Sequence, residues 1–223
     1  MTLNTILFDL DGTLLDTYRD MGAALNTLLA AYQKPALPVE TIRPFVSNGA
    51  LVMVCHAFQC EPDSTQATTL WKEYLNEYTR NLCVQTELFN GMDRVLDEIE
   101  NRGMKWGIVT NKPGFLTEPL LSRLSLDTRA GCVVSGDTLP QNKPHPAPLQ
   151  LACEQLGTRC RDAVYIGDDA RDIQAGKSAG MRTIAAAYGY IPSGDHPRAW
   201  QADHIIGSPM EIIDWMDGLV KQP

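Results

Sequence analysis

Short apolar runs alternate along this chain with helix-patterned segments, and no other feature narrows the fold as much. The runs are Thr5 to Phe8, Lys105 to Val109, Cys132 to Val134, Ala163 to Ile166, Arg182 to Ala186 and His204 to Ile206. Each is too short for a helix and bulky enough for a buried strand, and strands separated by crossover helices pair in parallel. The helices between them have readable ends. Asn90-Gly91 precedes Met92 to Arg102, which Gly103 closes, and Pro144 to Pro148 lead into Leu149 to Leu156, which Gly157 closes. The pattern predicts an α/β chain, a Rossmann-like parallel sheet with helices on both faces.

The alternation fails once, from about Thr17 to Val84, where helix follows helix without a convincing strand. Arg19 to Tyr32 carries Met21, Ala24, Leu25, Leu28 and Leu29 at helical spacing. Pro35 and Pro38 interrupt the pattern, and Ala50 to Phe58 and Thr65 to Leu82 resume it. A four-helix module inserted into the α/β core is the simplest arrangement, with residues 1–16 and 85–223 as core and 17–84 as insertion. Trp71, Tyr74 and Tyr78 lie at helical spacing within the module and read as its interior.

Composition removes several function classes. The 223 residues, 44% hydrophobic and 21% charged, suffice for one core plus a small module. A net charge of -8 without clustered Lys and Arg argues against nucleic acid or an anionic membrane as partner. Six scattered cysteines form neither a zinc motif nor a disulfide framework, and no apolar segment approaches the ~20 residues of a membrane span. The N-terminus lacks a basic leader with a cleavage site, so the expectation is a cytoplasmic protein, monomer or homodimer, with reduced thiols.

Four segments at strand ends carry the chemistry, and in open parallel sheets ligands bind beyond those ends. The first is Asp9-Leu10-Asp11-Gly12-Thr13-Leu14-Leu15-Asp16, in which two carboxylates leave the first strand together. Alone, an Asp-x-Asp is more often a solvated turn or a cap. The second is Thr110-Asn111-Lys112-Pro113, a hydroxyl and an amide before a Pro-started helix whose first N–H groups favour an anion. The third is Asn142-Lys143-Pro144-His145, and the fourth is Gly167-Asp168-Asp169-Ala170-Arg171-Asp172. By themselves these too could be a solvated lysine and an acidic helix start.

Together and in this order the four resemble the signatures of the haloacid dehalogenase superfamily of phosphatases, whose first motif Asp-x-Asp-Gly-Thr-Leu-x-Asp is matched at every specified position. The resemblance implies that the inserted module is a cap over the active site, with the crossings near Asp16 to Tyr18 and Gln85 to Phe89 as hinge. It implies Mg²⁺ held by Asp9, Asp168 and the backbone carbonyl of Asp11, an oxygen set suited to that ion. Asp9 would be the nucleophile that takes up the phosphoryl group, Asp11 the acid and then the base, and Lys143 the bridge between nucleophile and phosphate. Gly12, Thr110, Asn111 and Lys143 would hold the phosphoryl oxygens, with Asp169 and Asp172 orienting ligands from behind. His145 has no assigned role.

Within that superfamily Thr110-Asn111-Lys112-Pro113, the cap segment Arg43 to Ala50 and Gly136-Asp137-Thr138-Leu139 are similar to the phosphoglycolate phosphatase group, and the run Tyr188-Gly189-Tyr190-Ile191, followed by Trp200 and Ala202-Asp203, is similar to its branch acting on N-acetylmuramic acid 6-phosphate. Both substrates carry a carboxylate, which makes Arg43, Asn48 and Gly49 the expected recognition elements. A cap or salt bridge inside the helical module is the competing role for Arg43. Two other classes share the scaffold: a sugar phosphomutase and a non-enzymatic binding protein. The second would usually have lost one of the acids kept here.

Overall fold

The computed structural model describes residues 3–220. Six strands form one parallel sheet: β1 (Thr5–Phe8), β4 (Lys105–Val109), β5 (Val133–Val134), β6 (Ala163–Gly167), β7 (Arg182–Ala186) and β8 (His204–Ile206), in spatial order β5-β4-β1-β6-β7-β8. Helices α5 (Met92–Asn101), α6 (Gly114–Arg123), α7 (Ala147–Leu156), α8 (Ala170–Ser178) and α9 (Glu211–Val220) complete the core. This is the α/β architecture expected from the alternation.

Period-two geometry explains why β1 reads as an unbroken apolar run. Ile6 and Phe8 enter one hydrophobic cluster, with Ile108, Val164 and Ile166 from the flanking strands. Leu7 enters another on the opposite face, with Val109, Ala163 and Tyr165. From β1 the chain adds β4 and β5 on one side and β6, β7 and β8 on the other, all parallel, so the order of the sheet reverses at β1. The crevice at its carboxyl end is where such sheets bind ligands.

The segment after β1 holds α1 (Tyr18–Ala31), α2 (Val39–Val46), α3 (Ala50–Phe58) and α4 (Thr65–Arg80). Met21, Ala24, Leu25, Leu28 and Leu29 on α1 are buried as their spacing predicts. Sequence patterning did not reveal the pairing of the two crossings. β2 (Leu15–Asp16) and β3 (Glu87–Leu88) form a two-stranded antiparallel ribbon, with Leu15 opposite Leu88 and Asp16 opposite Glu87. Two-residue strands carry no readable period.

Asp20, on the first turn of α1 and 2% exposed, fastens the crossings further. Its carboxylate accepts the backbone N–H groups of Val84, Gln85 and Thr86 at 2.8–3.0 Å and the Thr86 hydroxyl at 2.7 Å. Val84 and Gln85 are exposed enough for water to replace the lost acceptor, whereas Thr86 is buried. Asp20→Ala is therefore expected to lower the free energy of unfolding by roughly 1–3 kcal/mol in a urea titration. An unchanged midpoint would contradict this role.

Candidate active site

Each predicted segment delivers its side chains to the carboxyl edge of the sheet. Asp9 follows β1 directly and stays in register, its N–H donating to Ile166 O at 2.9 Å. Lys143 reaches it from the β5–α7 loop. The Lys143 side chain is only 3% exposed, and its Nζ stands 2.7 Å from Asp9 Oδ1, 2.8 Å from Asp172 Oδ1 and 2.7 Å from the Tyr165 hydroxyl. Three donors on one ammonium thus meet three oxygens. Burial works against the lysine's charge, but Asp172 and Asp9 outweigh it and hold the ammonium above its ordinary pKa.

The loop that carries Lys143 is itself clamped. Asn111 donates through Nδ2 to Lys143 O at 3.0 Å and accepts the Lys143 N–H on Oδ1 at 3.1 Å. Thr110 Oγ1 accepts the Lys112 N–H at 3.1 Å. Both residues line the cavity described below; Asn111 spends its amide on the backbone of the Lys143 loop, whereas Thr110 accepts within its own loop and its hydroxyl keeps a proton to donate.

Asp168 directly follows β6 and is fully buried. Its Oδ1 accepts the Thr13 hydroxyl at 3.0 Å, and its Oδ2 accepts the Ser47 hydroxyl at 2.9 Å and the Tyr190 N–H at 2.8 Å. Two glycines make this cradle. A Cβ on Gly12, whose φ is +85°, would stand 2.2 Å from Asp168 Oδ2, and one on Gly189 would stand 2.2 Å from Asp168 Cβ. Gly12, expected among the phosphate-binding residues, has its own N–H turned to Leu15 O at 3.0 Å and does not line the cavity. Its visible part is to admit Asp168.

Carboxylate oxygens of Asp9, Asp168 and Asp172 lie within 4.8 Å of one another. Burial, opposed by Lys143 and reinforced by Asp172 and Asp168, pushes the Asp9 carboxyl up to about 8. Burial with the Asp172 charge pushes Asp168 to about 7. Were all three acids ionised, their negative charge would exceed that of the one ammonium, and in the metal-free fold Asp9 and Asp168 answer that excess by holding their protons to higher pH.

Asp11 is held apart from that cluster. Its carboxylate accepts the Thr17 hydroxyl at 2.7 Å and takes Lys112 Nζ at 3.0 and 3.3 Å. The Lys112 side chain, 5% exposed, also reaches the Tyr78 hydroxyl of α4 at 3.0 Å. Sequence reasoning passed over Lys112 although it stands inside the second motif. A lysine between an asparagine and a proline gives no local sign of a partner on another strand end.

Between core and helical insertion lies a cavity of about 330 Å³. Its floor includes Asp9, Asp11, Lys112, Lys143 and Asp172, and its roof includes Ser47, Asn48, Trp71, Leu75 and Tyr78. Tyr74 and Tyr78 are buried as expected. They nevertheless face this cavity together with the half-buried Trp71, so the aromatic face of α4 is not solely packing interior.

Of the expected recognition elements, Asn48 and Gly49 line the cavity and Arg43 does not. The Arg43 guanidinium donates to Tyr188 O at 2.9 Å and lies over the rings of Tyr18 and Tyr190, 5.7 and 5.0 Å from their centroids. Arg171 is the cation at the rim instead. It pairs with Asp169 at 2.8 and 2.9 Å and donates to Ser47 O. Asp169 caps α8 with Asp172 in a capping box, and Arg171 outweighs burial to keep its carboxyl below the usual range. His145 accepts the Ala147 N–H on Nδ1 at 3.1 Å at the start of α7 and is exposed.

The floor residues come from the four motifs. A family model for haloacid dehalogenase-like hydrolases matches residues 6–186. The chain is 42% identical over 217 residues to an N-acetylmuramic acid 6-phosphate phosphatase of Pseudomonas aeruginosa, covering 97% of this chain and 96% of that relative. It is 40% identical over 218 residues to a phosphoglycolate phosphatase of Xanthomonas campestris, covering 98% and 97%. Among solved structures, a predicted phosphoglycolate phosphatase from Haemophilus somnus superposes with a TM-score of 0.84 at 26% identity, over 97% of this chain and 99% of that one. Motif geometry, family match and full-length relatives converge: this chain belongs to the haloacid dehalogenase-like hydrolase family.

Proposed function

We propose that this hydrolase cleaves a small phosphate monoester in two displacements, with residues 17–84 acting as a cap over the site. The observation that carries the reading is the pair of cavity-floor carboxylates in two different settings. Asp9 is joined to Lys143 within an acidic cluster, and Asp11 is held separately by Thr17 and Lys112. Unequal environments are how two carboxylates come to play unequal roles.

In this reading Asp9 Oδ attacks phosphorus and forms an aspartyl phosphate. The ester P–O bond breaks, and Asp11 gives its proton to the leaving oxygen. Asp11 then takes a proton from water, whose oxygen attacks phosphorus and frees Asp9 and inorganic phosphate. Lys143 holds Asp9 in line and neutralises phosphoryl charge. Division of labour is needed, because phosphate monoester hydrolysis can demand up to ~10²¹ of acceleration, whereas acid–base catalysis supplies about 10²–10⁴.

The donor set fits Mg²⁺: hard carboxylate oxygens from Asp9 and Asp168, with Asp172 behind them on Lys143, in a cluster whose negative charge, once its carboxyls are ionised, exceeds its one lysine. When bound, the ion would polarise the phosphoryl oxygens and offset that charge. The leading substrates are 2-phosphoglycolate and N-acetylmuramic acid 6-phosphate, the names borne by full-length relatives at about this identity. Six unpaired thiols among the described residues accord with work in the reducing cytoplasm.

Two outcomes are expected. With Mg²⁺ the protein should release phosphate from such esters and lose activity on EDTA treatment, and Asp9→Asn should cost at least about 10³-fold in kcat. Release of phosphate by Asp9→Asn at the wild-type rate would refute the assignment. The second outcome concerns stability. Asp9 and Asp168 sit near 8 and 7 in the folded chain against an ordinary 3.8, so the metal-free fold binds extra protons between those values. Their contribution is therefore fully present below pH 4 and lost as pH rises through 7 to 8. The rise in Tm produced by Mg²⁺ should accordingly be larger at pH 8 than at pH 5, and an equal or opposite effect would contradict the cluster as the metal site.

A further inference from the structure

The cavity is shaped for more than a phosphoryl group and a two-carbon acid. At about 330 Å³ it falls within the ~300–1,000 Å³ of sites that enclose drug-sized ligands, and a water molecule's share of liquid volume is only about 30 Å³. One wall is a single face of α4. Trp71, Tyr74, Leu75 and Tyr78 recur at three- and four-residue spacing, and all four line the space. Met21, Val46, Leu51 and Leu116 continue the apolar lining.

This wall is rigid where it meets the core and open where it does not. Tyr78 is anchored by Lys112 at 3.0 Å, and its ring stacks on Tyr74 with centroids 6.0 Å apart and planes at 16°. Leu75 and Trp71, about one and two turns before Tyr78 on the helix, remain half-buried. The indole N–H of Trp71 and the side-chain amide of Asn48 make no hydrogen bond among the described residues. Two polar groups on the roof are thus uncommitted beside an apolar wall. Apolar walls with a few convergent polar groups are the usual make-up of sites for ring-sized ligands.

From this, and resting on the phosphatase reading above, we infer that Trp71 and Leu75 form the specificity wall of the enzyme. They select a phosphate ester whose alcohol half is ring-sized and presents an apolar face, of the class of a substituted hexose 6-phosphate, over a two-carbon ester. A short ester reaches Asp9 and Lys143 but leaves the α4 wall in contact with water. A ring-sized one displaces that water, and its apolar contacts favour it by the tenfold or more that such a wall can supply.

The test compares N-acetylmuramic acid 6-phosphate, glucose 6-phosphate and 2-phosphoglycolate on wild type, Trp71→Ala, Trp71→Phe and Leu75→Ala, with folding checked by thermal melts. Wild type should favour at least one ring-sized ester over 2-phosphoglycolate in kcat/KM by about tenfold or more. Trp71→Ala should remove most of that preference through KM rather than kcat, Trp71→Phe should restore part of it, and Leu75→Ala should lower it independently. Calorimetric binding to the Asp9→Asn protein supplies a readout besides turnover. Adding Trp71→Ala to that background should weaken the ring-sized ester about tenfold more than it weakens inorganic phosphate. A preference for 2-phosphoglycolate, or equal losses on all three esters, would overturn the wall while leaving the phosphatase reading intact. Failure of wild type to cleave any ester would sink that reading and this inference with it.

Discussion

The ion cluster around Lys143 is the interaction on which the rest of this structure depends. Burying one ammonium among Asp9, Asp172 and the Tyr165 hydroxyl is costly unless every charge finds a partner, since breaking a buried pair typically costs about 3–5 kcal/mol. The fold meets that demand from four strands, Lys143 itself coming from the loop after β5. β1 supplies Asp9, β6 supplies Tyr165 and leads into Asp172, and Asn111 after β4 clamps the backbone of Lys143. The parallel sheet is thus a frame that brings together charges no single segment could hold.

The helical insertion is tied to this frame at points that bear on chemistry. Ser47 donates to Asp168, Arg171 donates to Ser47 O, and Tyr78 meets Lys112, which in turn holds Asp11. Tyr190 joins the same system from the core side. Its N–H meets Asp168, while its hydroxyl donates to Asp16 and accepts the N–H of Thr17 at the foot of α1. The seat of the insertion and the orientation of two acids are therefore parts of one hydrogen-bonded network, and a disturbance of either will be felt in the other.

The core strands were legible because a strand covered on both faces is apolar throughout, so Thr5 to Phe8 and Ala163 to Ile166 stand out without any tertiary knowledge. The floor of the site was legible for another reason: strand-end carboxylates with a Gly-Thr or Gly-Asp turn have few structural uses in combination. Illegible features depended on distance or on empty space. Lys112 and Asp11 are 101 positions apart, and the Leu15–Leu88 pairing spans two residues on each side. On α4, helical spacing told which face of Trp71, Tyr74 and Tyr78 turns inward but not whether the inside was filled. Arg43 could have met a substrate, yet two tyrosine rings and a carbonyl satisfy it within the seam.

In the proposed reaction Asp9, rather than a water activated directly by the acidic cluster, attacks the substrate. Rapid-quench mass spectrometry of a single turnover, at acid pH to preserve an acyl phosphate, addresses it directly. Attack by Asp9 requires a transient phosphoryl adduct confined to the peptide containing Asp9, forming before phosphate is released and absent in Asp9→Asn. Full release of phosphate with no adduct at any time, or an adduct on a different residue, would contradict it.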